Sequence, residues 1–379
     1  MDPIMATHNP LTRTYSTDNK RLAGERRETV ERSESANLHG RNGNAQYSKN
    51  YDNCKVVLSV DGGGVRGIMP AIILRNVYEK LGEDFKFDVM AGTSVGALVV
   101  ASFALGKIDH FINDYNAIAK MIFTRNWSLW NPLNWFSITR GLLGPAYRVD
   151  SKEQAVRDFT GKKDESAYSF DSLGTRLLLP FYLQQNNNVA FYKNYDEISN
   201  PNVHKYNIID SLMATTAAPT FFNPHVFRGL DGCRYEGIDG GVFANNPALV
   251  AYQEARLLFP KSRIILLSLG TGDHNYMDPN LESTDRGNLF WAKKYSTVTN
   301  SAMTAYTHQS LTEKSSVGKL DYFRVNPHLM QYLCNSMDNT SPANIERLET
   351  YANRSIADSK DLHNFVEKVR TVKQINAQK

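Results

Sequence analysis

At 379 residues the chain can bury a large core, as one big α/β domain or two small ones. Its net charge of +4 is mild and makes no case for nucleic acid. The three cysteines, Cys54, Cys233 and Cys334, lie far apart without C-x-x-C or Cys/His spacing, so a reduced compartment is expected rather than a disulfide framework.

Residues 1 to about 50 are rich in Ser, Thr, Asn, Arg and Glu. Leu11, Leu22, Val30 and Leu38 are too few to build a core, so this stretch reads as a disordered polar tail. Arg26, Arg27 and Arg32 alternate with glutamates, which argues for a solvated segment and not a basic patch. The tail lacks the apolar centre of a signal peptide. No run reaches the ~18 apolar residues that would span a bilayer.

The apolar, β-branched run Val56 to Val60 reads as a buried strand. Ile72, Ile73, Val77 and Leu81 place a helix over Ile68 to Leu81. Between them stands Asp61-Gly62-Gly63-Gly64-Val65-Arg66-Gly67. A glycine turn between a buried strand and a helix presents backbone N–H groups to an anion. Gly62, Gly64 and Gly67 also match the dinucleotide pattern G-x-G-x-x-G, which wants an acidic residue at the end of the next strand. That strand, Phe87 to Ala91, ends instead in Gly92-Thr93-Ser94-Val95-Gly96. This is G-x-S-x-G, the turn that lifts a serine from a strand end at the head of a helix. The chain therefore offers an oxyanion loop on one strand and a serine nucleophile on the next.

Val95 to Leu105 reads as a short apolar helix that packs inside, and Ile108 to Phe123 as a second helix. Residues 127 to 136 hold Trp127, Trp130 and Trp135 among proline and asparagine, with Arg125, Arg140 and Arg148 flanking them. Such a cluster fits a lipid interface, or a satellite of the core. Arg176 to Leu183 and Val189 to Tyr195 read as strands joined by a turn at 184–188. Ile208 to Thr216 reads as a helix, and Asn246-Pro247 opens another through Leu258. Between those helices, Asp239-Gly240-Gly241 forms a glycine turn at a strand end. Arg263 to Leu269 is a further buried strand, ending at Gly270-Thr271-Gly272. The remainder, about 288 to 372, reads as mainly helical around one strand at Tyr322 to Val325.

Strands alternating with helices predict an α/β three-layer sandwich, with a mostly parallel central sheet covered by helices on both faces. Ligands bind such sheets at the carboxyl ends of the strands, where Asp61, Ser94 and Gly270 would gather. The nine histidines are scattered without H-E-x-x-H, and no metal is expected.

Asp61 to Gly67, Gly92 to Gly96 and Asp239 to Gly241, in that order, resemble the motifs of the patatin-like phospholipases, in particular the plant-patatin type. Ala217 to Phe222, Leu267 to Gly272 and Asn335 to Asp338 support the resemblance, which spans roughly residues 54 to 360. One departure is the polar tail, where plant storage patatins carry a secretory signal. The resemblance implies one domain over 54–372, with a core at about 54–272 and a helical part at about 288–372. It implies a serine–aspartate dyad: Ser94 attacks an acyl ester and Asp239 takes its proton. The N–H groups of Gly62, Gly63 and Gly64 would hold the oxyanion. Arg66 would add positive potential toward a lipid phosphate, and no cofactor is required. The substrate implied is a phospholipid or galactolipid, met by peripheral membrane contact from the cytoplasm. Two alternatives stay open: a Ser-His-Asp triad with His274 as base, and a non-catalytic lipid-binding or storage relative.

Overall fold

The computed structural model describes residues 53–125, 145–160, 174–195, 206–273, 288–330 and 336–378. The polar tail at 1–50, the tryptophan segment 127–136, Cys334 and His274 lie outside the described residues.

One sheet of eight strands organises the described residues. Its strands are β1 (Cys54–Val60), β2 (Val89–Gly92), β3 (Arg176–Leu183), β4 (Asn188–Lys193), β5 (His225–Arg228), β6 (Arg234–Asp239), β7 (Arg263–Leu269) and β8 (Leu320–Val325). The order is β5-β6-β3-β2-β1-β7-β8, with β4 also paired to β3. From β3 to β8 along this path every pairing is parallel. The pairs β3–β4, β3–β6 and β5–β6 are antiparallel. The central strands are apolar on both faces because both faces are covered.

Side chains alternate between two cores. Val56, Leu58 and Val60 of β1 join a large cluster with Ile265, Leu267 and Leu269 of β7. That face is covered by α1 (Ile68–Leu81) and α2 (Val95–Ala104), with α10 (Pro342–Asp358) and α11 (Lys360–Ala377) packed on α1. Val57, Ile264 and Leu266 point the other way. There α8 (Ala248–Leu258), which follows the single turn α7 (Gly241–Ala244), lays Ala248, Ala251 and Ala255 on the sheet, a small-residue stripe at helical spacing that brings the backbone close. Helix α9 (Asn288–Ser316) adds Leu311 to this second core. The three-layer sandwich expected from the sequence is the observed fold class.

Most expected elements stand within two residues of their place, and α1 and β3 coincide with the reading. The helix expected over Ile108 to Phe123 is two, α3 (Ile108–Asn113) and α4 (Tyr115–Ile122). The break at Asp114 re-aims Tyr115, whose hydroxyl donates to the carbonyl of Val65 at 2.9 Å. Helix α5 (Val149–Thr160) and edge strand β5 escaped the sequence reading. Helix α6 (Ile208–Thr215) takes its N-cap from Asn207, whose side chain accepts from the N–H of Asp210.

A gap in the sheet positions the site. Strands β2 and β6 share one edge of β3, β2 on residues 176–178 and β6 on residues 181–183. They run toward each other and their carboxyl ends meet beside Pro180. The Pro180 carbonyl faces this gap, and a proline leaves no N–H unpaired there.

Candidate active site

Ser94 follows β2 and caps α2 with φ 54° and ψ −126°. A non-glycine residue in that region stores about 1–3 kcal/mol of strain, which the surroundings must hold. Here the serine N–H donates to Thr215 Oγ1 at 3.2 Å, and that hydroxyl donates to Pro180 O at 2.6 Å. Thr93 Oγ1 donates to Ala244 O at 2.6 Å. The flanking glycines permit the tight turn. A Cβ on Gly92 would meet Gly96 O at 2.4 Å, and one on Gly96 would meet Val60 O at 2.3 Å. Val95 to Ser102 of α2 are buried, so the helix runs from the turn into the core.

Asp239 ends β6 and is buried. Its N–H donates to Ala217 O at 3.1 Å, and its Oδ1 accepts from the N–H of Gly241 at 2.7 Å. A Cβ on Gly240 would strike Pro180 O at 2.2 Å, so the turn lies flat on β3. Burial pushes the carboxyl up from 3.8 to about 6, against hydrogen bonds from the Ser94 side chain and Gly241 and the charge of Lys152. The two sequence-predicted side chains line one cavity, close enough for the serine hydroxyl to offset part of what burial does to the carboxyl.

The glycine loop lies across from them, joined to α1 by a single turn at Gly64–Gly67. Asp61 is not a pocket residue. Its carboxylate receives both arms of Arg324, Nη1 at 2.9 Å and Nη2 at 2.6 Å, and Nη1 also donates to Ser268 Oγ at 2.7 Å. Arg324 on β8 so reaches over β7 to anchor the turn after β1. Burial pushes the Asp61 carboxyl up and Arg324 opposes this. The bidentate geometry is that of two ionised groups. Thr271 Oγ1 donates to Gly62 O at 2.7 Å, and Val65 N–H to Met337 O at 2.8 Å.

Two expectations for this loop change. The N–H of Gly62 donates to Asn245 O at 3.0 Å and is already committed. Those of Gly63 and Gly64 have no partner among the described residues, and both glycines line the cavity beside Ser94. Of the three N–H groups expected to act together, two are open among the described residues. Gly64 has φ 58°, and a Cβ there would meet Met337 O at 2.2 Å. Arg66 turns back on its own loop, Nε donating to Gly63 O at 3.3 Å, and is not among the residues lining the cavity. Gly67 packs on Val95, which a Cβ would reach at 2.3 Å.

The cavity holds about 570 Å³ and is mainly apolar, with Leu98, Phe111, Ile118, Ile122 and Val156 beside Ser94 and Asp239. Among the described residues no histidine lines it, and no cluster of three potential metal ligands exists. Lys152 does line it, although the sequence reading passed it over. The signal was present: Lys152, Ala155, Val156 and Phe159 form the buried stripe of α5, and a lysine opens it.

A model of the patatin-like phospholipases matches residues 58–252, from within β1 to within α8. Patatin-like protein 2 of Arabidopsis thaliana is 31% identical over 260 residues, covering 59% of this chain and 61% of that protein, less than two thirds of its length. Patatin-2-Kuras 4 of Solanum tuberosum is 31% identical over 326 residues, 77% of this chain and 83% of its own length. A cGAMP-activated phospholipase of Escherichia coli (strain TW11681) is 26% identical over 342 residues, 82% and 92% of the two chains. The matched span contains the glycine loop, the serine turn and the aspartate turn together, and by it the chain belongs to the patatin-like phospholipase family.

Proposed function

We propose that the protein is a lipid acyl hydrolase that cleaves fatty-acyl esters of membrane glycerolipids, phospholipid or galactolipid, through Ser94 and Asp239. The observation that carries this reading is the pairing of the two groups at one cavity wall. A buried carboxyl raised to about 6 lies with a serine on a strained turn at the wall of an apolar cavity. An unperturbed aspartate, near 3.9, is a weak base for a hydroxyl; one near 6 is closer to the working pH and better matched to proton transfer.

Ser94 Oγ attacks the ester carbonyl carbon while Asp239 takes its proton. The negative charge moves to the carbonyl oxygen, where the N–H groups of Gly63 and Gly64 receive it; each such donor is typically worth about 10²–10³ in turnover. Collapse breaks the ester bond, and Asp239 returns the proton to the leaving alcohol. Water then attacks the acyl-serine with Asp239 again as base, releasing fatty acid. The apolar walls suit an acyl chain. No helix among the described residues is long and apolar enough to cross a membrane, and we assign contact with the bilayer to its surface.

The test is fatty-acid release from phospholipid vesicles and galactolipid dispersions by wild type, Ser94→Ala and Asp239→Asn. Release by the wild type and loss in both variants is expected. Release undiminished in Ser94→Ala, or absent from the wild type on every glycerolipid, would overturn the reading.

A further inference from the structure

We propose that Lys152 is a positioning residue that keeps the Asp239 carboxylate ionised inside the cavity, and so sets the lower pH limit of Ser94 reactivity. The inference rests on the dyad reading above. Lys152 is 1% exposed. Its Nζ donates to Met213 O at 3.1 Å, the one acceptor it has among the described residues, and lies 4.4 Å from the centre of the Phe222 ring. It lines the same cavity as Ser94 and Asp239. A fully buried lysine is rare unless paired, because its ammonium loses its water. At this place on the α5 stripe leucine or methionine would pack without that cost. The cost points to an electrostatic task.

The other charged groups nearby are occupied elsewhere. On α5, Asp150 pairs with Arg148 and Glu153 with Arg157, and Asp158 accepts from Gln154. On α6, Asp210 binds His225. On α4, Lys120 is exposed, α2 bears no charged side chain, and Arg234 and Glu236 sit toward the far end of β6. Among the described residues Asp239 is the charge that acts on Lys152, and Lys152 the charge that acts on Asp239. Burial pushes the lysine down to about 7, so it still carries its proton near pH 6, where Asp239 titrates.

The chemistry gives the charge a constant purpose. At rest the single negative charge is on Asp239. Once the proton has moved from Ser94 to Asp239, that charge is on the oxyanion at Gly63 and Gly64. One negative charge is present throughout, and below about pH 7 Lys152 offsets it without exchanging its own proton.

The test follows the rate at which a fluorophosphonate modifies Ser94 between pH 4.5 and 9, by intact mass. In that step the Oγ–P bond forms, fluoride leaves and the serine proton passes through Asp239, so no lipid is needed. Wild type, Lys152→Met, Lys152→Gln and Lys152→Arg are compared, each against its own plateau at pH 9, with melting temperatures. In the two neutral variants the acid limb should move up by at least about half a pH unit, so that the relative rate at pH 6 falls about threefold or more. In Lys152→Arg the limb should stay near its wild-type position. Coincident acid limbs, or an equal loss at every pH, would overturn the proposal. So would failure of both neutral variants to fold while Lys152→Arg folds, which would assign the charge to stability alone. No labelling of wild-type Ser94 at any pH would overturn the dyad reading, and this inference with it.

Discussion

The raised Asp239 carboxyl predicts that Asp239→Asn is more stable than the wild type above pH 6 while losing hydrolysis. Lifting the group from 3.8 to about 6 makes its ionisation in the folded protein costlier by about 3 kcal/mol. Between those two values the folded chain holds a proton that the unfolded chain has already released. Stability therefore falls as pH rises through this window, and the full cost is present above pH 6. Asparagine keeps an oxygen for the Gly241 N–H and carries no charge to bury. Lys152 loses its counter-charge in the variant. It titrates near 7 by burial, so it can shed its proton, and the comparison is cleanest at pH 8. For a folded unit of about 330 residues, ~3 kcal/mol corresponds to roughly 4 °C in melting temperature. The assay is thermal and urea unfolding of both proteins at pH 4.5, 6 and 8. Every other carboxylate is common to the two proteins, so the difference curve reads Asp239 together with its coupling to Lys152. A difference that is flat with pH, or a variant less stable at pH 8 than at pH 4.5 relative to wild type, would refute the argument.

Arg324→Met leaves the Asp61 carboxylate buried without its bidentate partner. It should cost about 3–5 kcal/mol and roughly 4–7 °C, with Asp61→Asn in the same chain recovering most of it, read by thermal unfolding. Thr215→Val removes the hydroxyl between Ser94 N–H and Pro180 O; kcat on a soluble short-chain ester should fall by up to about 10²-fold with KM little changed, measured by steady-state kinetics. Tyr295 and Met303, on α9 at the cavity, are 66% and 37% exposed. Replacing both by serine should lower hydrolysis of vesicle lipids at least about fivefold more than that of the soluble ester, because losing exposed apolar area weakens only the step in which the protein meets lipid.

How much of this could be read from the residues depends on how local each feature is. The strand Val56 to Val60 and helix Ile68 to Leu81 declare themselves by composition and period: the strand is buried on both faces, and the helix is buried all round in its first two turns and at Val77 and Leu81 thereafter. The serine turn is legible too, since Gly92 and Gly96 are required by contacts within five residues of each other and with the adjacent strand. The aspartate turn is visible as a turn, but its approach to Ser94 depends on β6 pairing backward with β3, 54 to 58 residues earlier in the chain. Local pattern carries no sign of that pairing; the order of motifs supplied the expectation. The commitment of Gly62 N–H to Asn245 was equally invisible, because any loop glycine looks like a free donor until its neighbours arrive. Lys152 was legible and overlooked: a cation in the first position of an apolar stripe is a local anomaly, and α5 itself was not recognised.

For the proposed dyad, the break in the sheet bears on why two side chains would suffice. In a sheet of parallel strands alone, an acid at a neighbouring strand end stands about 4.8 Å or more away sideways, across the hydrogen-bonding direction. A third side chain is then a natural relay. Here β6 arrives antiparallel on the edge of β3 that β2 has just left, so the last residue of one strand faces the turn that follows the other. Asp239 and Ser94 line the same cavity, and the serine side chain lowers the carboxyl that burial raises. Thr215 occupies the space behind the serine, tying its N–H to Pro180, and Lys152 and Phe222 close the cavity wall. If this geometry is what dispenses with a histidine, then Pro180 matters more than its distance from the chemistry implies. Pro180→Ala would restore an N–H at the gap and permit β2 or β6 to extend by a residue. Extension of either strand moves one of the two turns, since each turn begins where its strand loses its partner. We expect Pro180→Ala to retain fold and melting temperature within a few degrees while slowing fluorophosphonate labelling of Ser94 about tenfold or more. Labelling at the wild-type rate would show that the turns are held by Thr215 and the glycine contacts alone, and that the proline has no part in aligning the pair.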